Sequence, residues 1–219
     1  MNPIKLLTIL HVALGTIALV AGTAVLFVKK GDKTHRKLGN IFSYSMQLAG
    51  FTALILAIIH PNIFLFIVGI FSIYLVGTGN RHIYLKLKGD VKAKPHWLDW
   101  SLTILMLVSG IIFIGYGGYL IAKGASFAIV LLLFGLIGLS GVRQDFKYYR
   151  GLEKDRMCWL RIHIARMTGG YIAGSTAFLV NNIKHLPALP GFIYWLFPTL
   201  LIVPLMIKWL RKYTPQKEN

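Results

Sequence analysis

Long apolar runs alternate with short polar breaks along the whole chain. A helix needs about 20 apolar residues to cross the hydrocarbon core of a bilayer. Seven stretches have that length: 4–28, 38–60, 62–87, 97–122, 126–149, 157–185 and 191–212. The breaks carry turn chemistry. Lys30-Gly31-Asp32 closes the first span and His60-Pro61-Asn62 the second; Gly89-Asp90 with Pro95, Lys123-Gly124, Gly151, and Pro187 with Pro190 mark the rest. No connection is long enough to fold by itself. The pattern predicts an all-α polytopic membrane helix bundle, with one seven-helix transmembrane domain over 1–219.

Composition supports that reading. Apolar residues make up 56% of the 219 positions and charged residues only 14%, against about 25% charged in a soluble domain. The single cysteine, Cys158, rules out an internal disulfide, a four-cysteine zinc site, a cysteine-ligated iron–sulfur cluster and a CxxCH haem attachment.

Charge adds direction. The chain holds 24 Lys and Arg against 7 Asp and Glu, a formal net charge of +17. In a soluble chain this excess would point to nucleic acid. Here twenty of the 24 cations fall after spans 1, 3, 5 and 7 or at their adjoining ends. The positive-inside rule then places the N-terminus outside and the C-terminus in the cytoplasm of a bacterial inner (cytoplasmic) membrane. The expected partner is a bilayer with anionic headgroups, not nucleic acid. Trp97, Trp100, Trp159 and Trp209 fall near the inner interface, as an aromatic belt requires. A signal peptide ending near Gly22-Thr23-Ala24 is disfavoured, because its removal would leave the cations of 29–37 outside.

Small residues show which faces pack. Span 1 carries Thr8, His11, Gly15, Ala18 and Gly22 at helical spacing. Span 6 carries His163, Met167, Gly170, Gly174, Ala177 and Asn181. Span 5 places Gly138, Gly141 and Asp145 together, and Pro198 and Pro204 bend span 7. His11 and His163 are thus expected to face the bundle interior. Each lies about 10 Å from its own end of a core about 30 Å thick. Gly79-x-Arg81-x-x-Tyr84 and Gly141-x-Arg143-x-x-Phe146 form a weak internal echo.

Ionisable groups inside a membrane are costly and mark function by default. The outer layer holds His11, His60 and His185. The inner layer holds His35, Arg81, His82, Arg143, Asp145, His163 and Arg166. The leading expectation is b-type haem in an electron-transfer role: two neutral imidazoles ligate the iron and cations meet the propionates. His163 with His82 or His35 would hold an inner haem, and His11 with His60 an outer one. A second reading is a small-molecule or lipid transporter with a cytoplasm-facing pocket of Arg81, Arg143 and Arg166. A third is a metal-dependent membrane hydrolase using His35, His82, His163 and Asp145, although no HExxH is present. A fourth is a non-catalytic bundle. Arg166 lies deep in span 6 and needs a partner, for which Asp145 is the expected candidate. Retinal is excluded, because Lys208 lies near the inner end of the last span.

The short motifs add a resemblance. His11-Val-Ala-Leu-Gly15, the His35-Arg36-Lys37-Leu38-Gly39 turn before the second span, and His163 with Met167 resemble a family of uncharacterised prokaryotic multi-pass membrane proteins. That family has a first-helix histidine and a His-Arg-x-x-Gly turn. The resemblance implies a seven- or eight-helix bundle in which His11, His35 and His163 matter. It implies no activity.

Overall fold

In the computed structural model, residues 2–86 and 94–215 are described, and the described residues contain helices and no strand. Seven long helices follow one another: α1 (Pro3–Phe27), α2 (Lys33–Ile59), α3 (Ile63–Tyr84), α4 (Trp97–Ala122), α5 (Ala128–Tyr149), α6 (Cys158–Asn181) and α7 (Gly191–Tyr213), with a 3-10 turn at Ile183–His185 between the last two. Lys88, the Gly89-Asp90 turn, Lys92 and Lys217 lie outside the described residues.

Six of these helices are long and apolar enough to cross a membrane: α1 to α5 and α7. That points to a multi-pass membrane protein. α6 is as long as its neighbours, but Arg161, His163, Arg166 and a run of Gly and Thr dilute its apolar character.

Local chemistry sets the ends. Asp32 caps α2 by accepting the His35 backbone N–H at 2.7 Å, which starts the helix at Lys33. The His35–Gly39 motif, expected as a turn, is therefore the opening of α2. Gly31 (φ 83°) and Gly124 (φ 71°) take the left-handed conformation that lets the chain reverse in a few residues. α4 opens on a reciprocal cap, with His96 and Asp99 satisfying each other's backbone N–H groups. α6 ends at Asn181 rather than at residue 185, because the backbone tightens into the 3-10 turn.

α3 is the axis. Most of it is buried, from Ile67 to Gly79 and again at His82, and it packs on α2, α4, α5 and α6. Its core side chains Ile67, Ile70, Phe71, Tyr74 and Leu75 meet Met106, Phe113, Leu131 and Val142 of α4 and α5. Small residues let the backbones approach. Gly50 faces Ile73 and Gly69, Gly170 faces Val76, and Gly174 faces Met46. The helices at the edge are less engaged. α1 packs on α2 and lightly on α6, and α7 packs on α6.

The seam between α3 and α6 generates a contrast. A Cβ built on Gly170 would clash with Val76 Cγ2, whereas one on Gly118 meets nothing within 4 Å. Overpacking a tight seam costs about 1–3 kcal/mol. Gly170→Ala is therefore expected to lower the melting temperature in detergent, and Gly118→Ala to leave it unchanged or slightly raised.

Candidate functional site

Two polar assemblies occupy the basic end of the bundle, where α1, α3, α5 and α7 finish and α2, α4 and α6 begin. The first is sealed. Asp145 of α5 is fully buried. Its Oδ1 lies 2.7 Å from Arg166 Nη1 of α6. Tyr74 donates its hydroxyl to Oδ2 at 2.7 Å, and Thr103 of α4 donates to the same oxygen at 3.2 Å. One carboxylate thus joins four helices. Arg166 also donates to the Gly141 carbonyl at 3.0 Å and lies over the Tyr74 ring.

His82 completes the cluster. Its Nδ1–H donates to the Thr78 carbonyl at 2.8 Å, and Nε2 lies 3.6 Å from Asp145 Oδ1. The ring packs against Tyr148 and Tyr149. His82 Nε2, Asp145 Oδ1 and Arg166 Nη1 make no aligned hydrogen bond, so their close contacts are electrostatic. A second ion pair lies nearer the surface. Arg81 binds Asp99 through Nε at 2.7 Å and Nη2 at 2.9 Å, with Asp99 fully buried and Arg81 29% exposed.

The second assembly is open. A cavity of about 490 Å³ lies between α1, α2, α3, α6 and α7 at the same end. His35 of α2 and His163 of α6 both line it, with Asn40, Asn80 and the cations Lys30, Arg36 and Lys86. Phe42, Trp159, Tyr171, Trp209 and Tyr213 supply aromatic wall. Among the described residues no carboxylate lines it. His163 donates Nδ1–H to the Gly79 carbonyl at 2.9 Å. That bond fixes the ring and leaves Nε2 of the neutral imidazole as a free lone pair, the usual arrangement of a ligating histidine. His35 Nδ1 is buried without a partner. Lys30 donates to the last carbonyls of α1, at Val25, Leu26 and Val28, and sits over the Trp209 ring. Burial holds its pKa below the ordinary lysine value.

The candidate residues thus separate into groups. His35 and His163 share the cavity; His82, Asp145 and Arg166 share the sealed cluster behind it. Arg81 is committed to Asp99. Arg143 is exposed and joins neither assembly. His11 docks α1 on α2, its Nδ1–H donating to the Ala49 carbonyl at 3.1 Å beside Thr52, and His60 is exposed at the end of α2. Neither lines the cavity. Among the described residues no three His, Cys, Asp or Glu side chains come together to hold a metal ion. Sequence reasoning did not single out Tyr74, Thr103, Asp99 or the aromatic wall as site residues.

Set against the models of known families, curated proteins and solved structures, the chain matches none. The resemblance drawn above rests on its short motifs alone.

The sealed cluster makes a stability prediction. Removing one partner of a buried pair costs about 3–5 kcal/mol, because the other charge is left uncompensated. Asp145→Asn should destabilise the protein by that order in a denaturant melt. Asp145→Asn combined with Arg166→Met should recover much of the loss.

Proposed function

We propose that this protein is a seven-span membrane protein of a bacterial cytoplasmic membrane, N-terminus outside, that holds one b-type haem in the cavity and carries single electrons. The observation behind this reading is that His35 and His163, on different helices, line one cavity with aromatic walls and, among the described residues, three cations and no carboxylate. A porphyrin needs apolar faces, its propionates need cations, and its iron takes two neutral imidazoles. The cavity volume falls within the range of cofactor sites, about 300–1,000 Å³. His163 is oriented by Gly79, and His35 reaches the same cavity from α2. Bound haem would supply reversible one-electron chemistry; the protein supplies ligation, charge balance and exclusion of water.

The other residues named from the sequence take supporting places. His82 is enclosed by Tyr148, Tyr149 and Asp145, which favours His35 as the second ligand. His11 and His60 give an outer haem no comparable support, so the proposal is one haem per chain. The basic end is assigned to the cytoplasm by the positive-inside rule. α6 is assigned as the seventh span because it is packed between α3 and α7 and its deepest cation, Arg166, is paired.

A second reading, transport or binding of an anionic lipid, draws on the same cations. It is favoured by one observation: α1 and α7 flank α6 without packing extensively on each other, which leaves a lateral gap.

Absorption spectroscopy separates the readings. Protein purified in detergent and supplied with haem is expected to show a Soret band at one haem per chain. His163→Ala and His35→Ala should each lose most of it while keeping the elution volume of the folded protein. A preparation that stays colourless, or variants that keep the full band, would overturn the haem assignment.

A further inference from the structure

A smaller groove of about 230 Å³ lies between α1, α6 and α7, toward the middle of these helices. Tyr171 lines both this groove and the large cavity. Most of the rest of its lining is apolar or aromatic, including Phe178, Phe197 and Pro198, and among the described residues no charged side chain borders it. Its polar groups are three hydroxyls, on Thr23, Tyr171 and Ser175.

Two of these hydroxyls are coupled. Thr23 donates to the Leu19 carbonyl at 2.8 Å, so in the 2.7 Å contact between Thr23 and Tyr171 the tyrosine O–H is the donor. Both oxygens keep lone pairs for accepting. Ser175 lies one helical turn beyond Tyr171 on the same face of α6. It is half-buried, and its hydroxyl has no hydrogen-bond partner among the described residues. An unused hydroxyl in an apolar setting is unfavourable unless something pairs with it.

We infer that this groove binds the head of a membrane quinone or quinol. The head it accommodates is neutral, because there is no charge to meet a phosphate or an ammonium. A flat head suits the groove, because the Tyr171, Phe178 and Phe197 rings and Pro198 supply planar wall beside the aliphatic Leu19, Leu179, Leu201 and Ile202. It carries an oxygen that accepts from Ser175 and, in the reduced form, a hydroxyl that donates to Tyr171 or Thr23. The volume is below that of a site enclosing a whole drug-sized ligand, so the isoprenoid tail stays in the lipid beyond Phe197 and Leu201.

The binding site stands on its own geometry. Its role as electron partner rests on the haem reading. With haem in the cavity, the Tyr171 ring lies on the border between the two groups. One quinol loses two electrons and two protons to become a quinone. Haem held by His35 and His163 would supply one-electron acceptance, so two haem equivalents, in two chains or in one chain over two turnovers, would balance one quinol. The protons leave past the Tyr171 and Thr23 hydroxyls into the polar mouth of the cavity.

The test uses the full chain in lipid nanodiscs. Binding of a photoreactive azido-decylquinone is expected to be saturable and to label α6 or α7. Ser175→Leu, which fills the groove, should weaken it at least tenfold; Ser175→Ala should weaken it less, and Ser175→Thr should restore it. Labelling no greater than in empty nanodiscs, displacement by decanol as effective as by decylquinone, or indifference to Ser175→Leu would each overturn the site. In the second arm, decylquinol should reduce the bound haem of the wild type, and Ser175→Leu should slow this at least tenfold while dithionite still reduces it fully. Haem that dithionite reduces and quinol does not would overturn the electron exchange and leave the haem assignment standing. Colourless protein with saturable, Ser175-dependent quinone binding would overturn the haem assignment and leave the groove standing.

Discussion

A charge buried in the core of a membrane protein has to find partners, and the Asp145 carboxylate of α5 draws them from three other helices at once. Arg166 approaches it from α6, Tyr74 from α3 and Thr103 from α4. Each of these bonds is possible only when the helices sit at one rotation and one height. The pair need not add net stability over an apolar core of the same shape. Its effect is to fix register. Small residues along the same seam, Gly79 against Arg166 and Met167 and Gly141 against Tyr74, give the backbones the closeness that the pair requires. His163 is carried on the same stretch of α6 and is bonded to Gly79. The direction of its free nitrogen is therefore inherited from a lock one turn away.

The open cavity has a complementary origin. α3 is surrounded and has no face left over, whereas α1 and α7 each rest mainly on one neighbour. Space accumulates where packing is one-sided. The side chains bordering that space are the long amphipathic ones, Lys30, Arg36 and Lys86, with tryptophans beneath two of them. Arg36 and Lys86 are exposed, their stems covering apolar wall, while the half-buried Lys30 ammonium is turned onto the carbonyls that end α1. The result is a chamber that is apolar in depth and cationic at its rim.

Much of this was legible in the sequence, and the illegible part has a common cause. Run length gave all seven helices, because a bilayer leaves the backbone little choice. The Arg166–Asp145 contact could be anticipated because few acids lie deep enough to serve. Helical phase decided what spacing along the chain could not. Arg143 and Asp145 are two residues apart, about 200° around a helix, so one is exposed while the other is fully buried. His82 falls on the α5 side of α3, whereas Asn80, two residues away, lines the cavity. Treating His35, His82 and His163 as one set ignored that rotation. Tyr74 was hidden within an apolar run. Asp99 was not singled out, and it is a helix cap and the partner of Arg81. The Asp32 cap was also missed, and it moved His35 from a turn into a helix.

The placement of α7 bears on how such a protein is assembled. This helix follows the other six in chain order, and it supplies Trp209 and Tyr213 to the cavity. It is fastened at that end by the Trp209 contact with Lys30 and by Arg161 donating to the Thr214 carbonyl at 2.9 Å. Along its length, Pro198 and Pro204 each remove one rung of the backbone ladder, so it bends more readily than its neighbours. During synthesis the first six helices reach the translocon before this wall exists. Until α7 arrives, the face of α6 that it covers and that side of the chamber stand open. Docking of the seventh helix then walls the chamber along α6 and leaves the gap beside α1.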